Sequence, residues 1–150
     1  MIHLDTQLSS SEGQTMKIAS QFTQKFFKPG IPILLSGQLG AGKTYFTKGI
    51  AQALDIPSRE VISPSFVLIN EYRGPVYTLN HMDFYRLEKW QEVEQLGIED
   101  YFTPTSFTVI EWGKRFLSHF PPPYFIVRLT EINEKERLIE VFYQNYEQKP

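Results

Sequence analysis

The chain has 150 residues, a formal net charge of −2, 41% hydrophobic and 21% charged residues, and no cysteine. The near-balance of charge excludes a broad basic field for gripping nucleic acid unaided, and the absence of cysteine excludes disulfides and thiolate chemistry. Twelve Phe and eight Tyr supply a core of large aromatic side chains, and the length suits one domain, 1–150, that buries about 68–70% of its unfolded surface.

Met1-Ile2-His3-Leu4-Asp5 lacks the basic start and apolar core of a signal peptide, and no apolar run has the length of a membrane span. A soluble, cytoplasmic protein with no membrane partner is expected. Residues 2–6 read as a short edge strand. Ser9-Ser10-Ser11-Glu12 then reads as a helix start, with hydroxyl caps and an acidic first turn. Met16, Ala19, Phe22, Phe26 and Phe27 recur at near-helical spacing as a core face, and Lys28-Pro29-Gly30 stops the helix.

The apolar run Ile31–Ser36 feeds a glycine-rich turn, which opens into a helix over Lys43–Leu54. Gly37, Gly42, Lys43 and Thr44 stand at the spacing G-x-x-x-x-G-K-[ST] of a phosphate-binding loop. Glycines let the backbone curl so that successive N–H groups point inward, with a helix N-terminus behind them. A lysine at this position reaches β- and γ-phosphates, and the hydroxyl after it can ligate Mg²⁺. A nucleoside triphosphate site is the reading.

Ser58–Ser65 reads as a loop, followed by strands Phe66–Tyr72 and Val76–Asp83 joined at Arg73-Gly74-Pro75 as a hairpin. Leu87–Leu96 has helical character, and Gly97 caps it before a second short helix to Phe102. Ser106–Ile110 carries no charge until Glu111, as a strand buried on both faces does. Trp112–Leu117 turns away, and Tyr124–Thr130 and Arg137–Gln144 form a last hairpin around the charged turn Glu131–Glu136. The expected architecture is α/β, a minimal P-loop fold. Its central mixed sheet is parallel around the loop, carries added antiparallel hairpins, and is flanked by helices.

Such a site needs carboxylates at the ends of buried strands. Asp83 ends the strand 76–83, and Glu111 follows the strand 106–110. One would support the metal and the other would position or deprotonate water; spacing alone leaves open which does which. His81 reads as structural, Arg86 as a partner of a carboxylate or phosphate, and Trp112 as a residue over the nucleotide or in the core. Ser63–Phe66 sits where nucleotide switches place a hydroxyl that senses the γ-phosphate.

Five motifs in order resemble one family, the bacterial ATPase of tRNA threonylcarbamoyladenosine biosynthesis, TsaE, also called YjeE. Its G-x-L-G-A-G-K-[ST] loop is matched by Gly37, Leu39, Gly40, Ala41, Gly42, Lys43 and Thr44. S-P-[ST]-[FY]-x-L-[IV]-x-x-Y is matched by Ser63 to Tyr72, and H-x-D-x-Y-R-L by His81 to Leu87. G-[IL]-x-[DE]-Y-[FL] is matched by Gly97 to Phe102, and [VI]-E-W by Ile110 to Trp112. The resemblance implies ATP and Mg²⁺ as cofactors and slow hydrolysis by the chain alone. It also implies association with TsaB and TsaD, the latter transferring a threonylcarbamoyl group to adenosine 37 of tRNA (t6A37), so that tRNA is met indirectly.

Carried over by motif, the loop residues from Gly37 to Thr44 and Trp112 contact the nucleotide. Thr44 and Glu111 hold Mg²⁺, and Asp83 and Lys43 are catalytic. Ser63–Phe66 becomes part of a switch region. Two departures stand out: Gln38 replaces an acidic residue usual in the family, and Gly113 replaces a Pro or Ala. A small-molecule kinase is disfavoured because the six Arg are scattered from Arg59 to Arg137 with no Arg-dense lid. A GTPase is disfavoured because no [NT]-K-x-D guanine-reading motif occurs.

Overall fold

The computed structural model describes residues 1–38, 40–64 and 67–146. These build a seven-stranded mixed sheet from β1 (Ile2–Ser9), β2 (Ile33–Ser36), β3 (Ile69–Arg73), β4 (Thr78–Asp83), β5 (Ser106–Glu111), β6 (Tyr124–Glu131) and β7 (Arg137–Gln144). The order is β1-β7-β6-β2-β5-β4-β3. Strands β6, β2, β5 and β4 run parallel, and the antiparallel pairs β1–β7, β6–β7 and β3–β4 extend the sheet on both sides. This is the mixed sheet expected from the sequence, parallel around the glycine loop.

Helices α1 (Glu12–Lys25) and α2 (Lys43–Ala53) cover one face. Their apolar stripes meet Ile33, Leu35, Leu79, Val109 and Val127 in one core, where Phe46 is fully buried between Phe22 and Phe27. Ser11 caps α1, its hydroxyl accepting the Gln14 amide at 3.0 Å. The helices cross closely at Gly49, where a Cβ would overlap the Met16 carbonyl oxygen and the Ala19 methyl. On the other face, helix α3 (Trp90–Gln95) and two 3₁₀ segments, Ile98–Tyr101 and Gly113–His119, cover Leu34, Met82, Ile110 and Ile126.

Several element bounds differ from the sequence reading for local reasons. Strand β1 runs to Ser9 rather than residue 6, because it pairs with β7 through Ser9, with one irregularity between His3 and Asp5. Helix α1 ends at Lys25, so Phe26 and Phe27 lie beyond it, though Phe27 is still buried. The strand expected from Phe66 begins at Ile69. Phe66 itself is outside the described residues, and the Pro64 carbonyl takes the Val67 and Leu68 amides in a turn. Helix α3 is shorter than Leu87–Leu96, since the Glu92 carboxylate accepts the Glu88 and Lys89 amides and fixes the start at Trp90. Strand β5 is buried along all six residues, as the uncharged run implied.

Candidate phosphate-binding cleft

The glycine loop joins β2 to α2. Because β2 is held between parallel β5 and β6, the loop emerges from the centre of the sheet at its carboxyl edge, where ligands of open α/β sheets bind. Two left-handed glycines shape it, Gly40 at φ 82° and Gly42 at φ 99°, the latter capping α2. Gly37 serves differently: a Cβ there would lie 2.9 Å from the Leu129 carbonyl oxygen of β6. The loop is tied internally by the Ala41 amide to Gln38 O at 3.0 Å, and externally by Arg137 Nη2 to Gly40 O at 3.3 Å. Leu39, assigned to the loop from the sequence, is outside the described residues.

Lys43, the first residue of α2, is buried. Its ammonium donates to Gly37 O at 2.9 Å and lies 4.0 Å from the Trp112 ring centre. Burial lowers its pKa from the ordinary lysine value of 10.5, while the Glu111 and Asp83 carboxylates pull it back up. Thr44 follows at the helix N-terminus and lines the same cleft, which measures about 580 Å³. Next to it, Tyr45 hydrogen-bonds Glu12 at the start of α1, which raises the phenol pKa.

The two carboxylates arrive by strand register. Asp83 of β4 and Glu111 of β5 are directly paired, and Glu111 is paired on its other side with Leu35 just before the loop. Both residues are buried and both line the cleft with Lys43 and Thr44. Asp83 Oδ1 accepts the Tyr85 amide at 2.9 Å, which fixes the carboxylate beneath the turn that follows β4. That turn is clamped to the segment after β5 by Arg115, whose guanidinium donates to Tyr85 O and Leu87 O at 3.2 and 2.8 Å. Arg86 and Ser63 line the cleft as well, whereas Ser65 and Phe66 of the expected switch lie outside the described residues.

Trp112 adopts a left-handed backbone, φ 62°, which costs a non-glycine residue of order 1–3 kcal/mol. The turn swings its indole over Lys43 and against Tyr85, 5.2 Å between ring centres. Trp112 thereby separates the cleft from a second cavity of about 600 Å³ between Gly37, Gln38, Arg128 and Thr130. Gly113 is buried, and a Cβ there would come within 3.0 Å of Leu34 Cδ2.

The structure thus brings together Gly37, Gly40, Gly42, Lys43, Thr44, Asp83, Glu111 and Trp112, with Ala41 buried beneath the loop. Sequence reasoning missed Arg137, which reaches the loop from the first position of β7 with no motif, and Arg115, whose guanidinium donates to backbone carbonyls.

A glycine loop between a central parallel strand and a helix, faced by carboxylates from neighbouring strand ends, defines a P-loop NTPase-type fold. The model of the family described as "Threonylcarbamoyl adenosine biosynthesis protein TsaE" matches residues 9–139. The chain belongs to the TsaE family. The tRNA threonylcarbamoyladenosine biosynthesis protein TsaE of Bacillus subtilis is 40% identical over 123 residues, 82% of this chain and 76% of the relative. The protein of the same name from Rickettsia bellii is 33% identical over 141 residues, 94% and 96% of the two chains. The crystal structure of Bacillus subtilis YdiB superimposes with a TM-score of 0.73 at 30% identity, covering 94% of this chain and 86% of that one.

Proposed function

We propose that this chain is a Mg²⁺-dependent ATPase that supports threonylcarbamoyladenosine formation in tRNA together with the TsaB–TsaD complex. The observation that carries the reading is the Asp83–Glu111 register, which sets two buried carboxylates beside Lys43 and Thr44 at one rim of the sheet. The loop amides and the α2 N-terminus receive the phosphates of ATP, and Lys43 exchanges the Gly37 carbonyl for β- and γ-phosphate oxygens.

Thr44 and Glu111 are the residues to hold Mg²⁺. Among the described residues no three His, Cys, Asp or Glu side chains group as a metal cage. That suits an ion which takes one or two protein oxygens and completes its shell with water and phosphate. Bound there, Mg²⁺ supplies neutralisation of charge on the β- and γ-phosphate oxygens. Asp83, anchored by the Tyr85 amide, orients the attacking water and accepts its proton as the new oxygen–phosphorus bond forms and the bond to the ADP oxygen breaks.

The net charge of −2 supports contact with tRNA through the partner complex rather than directly. The proposed place of action is the cytoplasm; among the described residues no helix is long and apolar enough to cross a membrane. The test is threonylcarbamoylation reconstituted with purified TsaB, TsaD, tRNA, ATP and an activated threonylcarbamoyl donor, with and without this chain. Repeated turnover is expected only when the chain and its Lys43 are present; turnover independent of both overturns the reading.

A further inference from the structure

His81 lies on β4, two residues before Asp83, and is completely buried. Among the described residues both of its ring nitrogens lack a hydrogen-bond partner, and so does Asn70 Nδ2. An imidazole carries at least one N–H, and leaving a buried donor unmade costs roughly 1–3 kcal/mol. His81 Nε2 lies 3.7 Å from Glu111 Oε1, just outside hydrogen-bond length. The register explains the approach. His81 pairs with Val109, and Glu111 stands two residues further along β5 on the same face of the sheet. Asn70 is directly opposite His81 across β3–β4, so its unpartnered amide shares that face too.

We infer that His81 is a positioning residue for the metal site, donating Nε2–H to Glu111 and fixing the carboxylate in the orientation that ligates Mg²⁺. This rests on the reading of Glu111 as a ligand given above. Ligating carboxylates are held by hydrogen bonds from residues behind them, and removing such a residue costs about 10–100-fold in metal affinity. With Nε2 protonated, Nδ1 is an acceptor, which complements the Asn70 amide on the neighbouring strand. Glu111 is thereby held by a side chain, while Asp83 Oδ1 accepts the Tyr85 amide.

The inference is tested by Mn²⁺ binding to the full chain with a non-hydrolysable ATP analogue, free Mn²⁺ being counted by electron paramagnetic resonance. His81→Leu is expected to weaken Mn²⁺ binding 10–100-fold, with analogue affinity in the presence of chelator unchanged, and His81→Gln, which keeps a donor, to recover most of the loss. Glu111→Gln is the control. Wild-type Mn²⁺ affinity in His81→Leu alongside weakened binding in Glu111→Gln overturns the inference and leaves the ligand reading standing. Unchanged affinity in Glu111→Gln overturns both. Should His81→Leu fail to fold, the ¹⁵N spectrum of the wild-type imidazole decides. A protonated Nε2 with a bare Nδ1 supports the inference, and the opposite tautomer overturns it.

Discussion

The ammonium of Lys43 stands 4.0 Å from the ring centre of Trp112. This cation is thus stacked on an aromatic side chain one strand away, and on the proposed reading the two separate when phosphate draws the ammonium into the loop. In a Trp90→Phe background, where Trp112 is the remaining tryptophan, MgATP is expected to change indole fluorescence saturably. Lys43→Met is expected to abolish that response; a response that survives the substitution would place the nucleotide elsewhere.

Stability should move in the opposite direction to binding. Burial lowers the Lys43 pKa, so the unfolded chain holds the proton more tightly, and stability rises with pH between the folded-state value and 10.5. Lys43→Met keeps the aliphatic stem and removes the buried charge. Without nucleotide it is expected to melt above wild type at neutral pH, the gap closing as the pH nears 10.5. Thermal denaturation at pH 7 and pH 10 measures both. A lower melting point at pH 7 would show that the Gly37 and Trp112 contacts outweigh the cost of burial.

The two carboxylates are separable by isosteric change. Asp83→Asn retains an oxygen for the Tyr85 amide, so binding of MgATP is expected to stay within a few-fold of wild type while hydrolysis falls on the order of 10²–10⁴-fold. Glu111→Gln is expected to raise the Mg²⁺ concentration needed for tight ATP binding. Isothermal titration with and without Mg²⁺, paired with phosphate release, distinguishes them. If Asp83→Asn is the variant that loses Mg²⁺-dependent binding, the two roles are exchanged.

The α1–α2 crossing gives a purely structural prediction. Gly49→Ala forces a methyl into the Met16 carbonyl and the Ala19 side chain, and overpacking of this kind costs about 1–3 kcal/mol. Because α2 begins at the phosphate loop, the same variant is expected to weaken ATP binding as well as lower the melting temperature. Denaturant unfolding together with a binding titration checks the pair.

Much of this site was legible in the sequence because its parts are local. The Gly37–Thr44 spacing encodes a turn, and an acid directly after an apolar strand lands at the sheet edge, as Asp83 and Glu111 do. What was not legible depends on who pairs with whom. No spacing says that β4 lies beside β5, so nothing in the chain announced that His81 would be buried within 3.7 Å of Glu111. The same holds for Arg137, which reaches Gly40 across 97 positions. Strand ends were misjudged where a turn competes with the ladder, as at Pro64, whose carbonyl delays the start of β3 to Ile69.

The glycines of the phosphate loop also divide by what each forbids. At Gly37 a side chain fails for want of room against Leu129, whereas at Gly40 nothing among the described residues lies within 4 Å of a Cβ and the φ of 82° is what objects. The second obstacle is one of handedness. A mirror-image alanine prefers the torsions that an ordinary alanine avoids. Semisynthesis with D-alanine at position 40 is therefore expected to preserve the loop that L-alanine distorts.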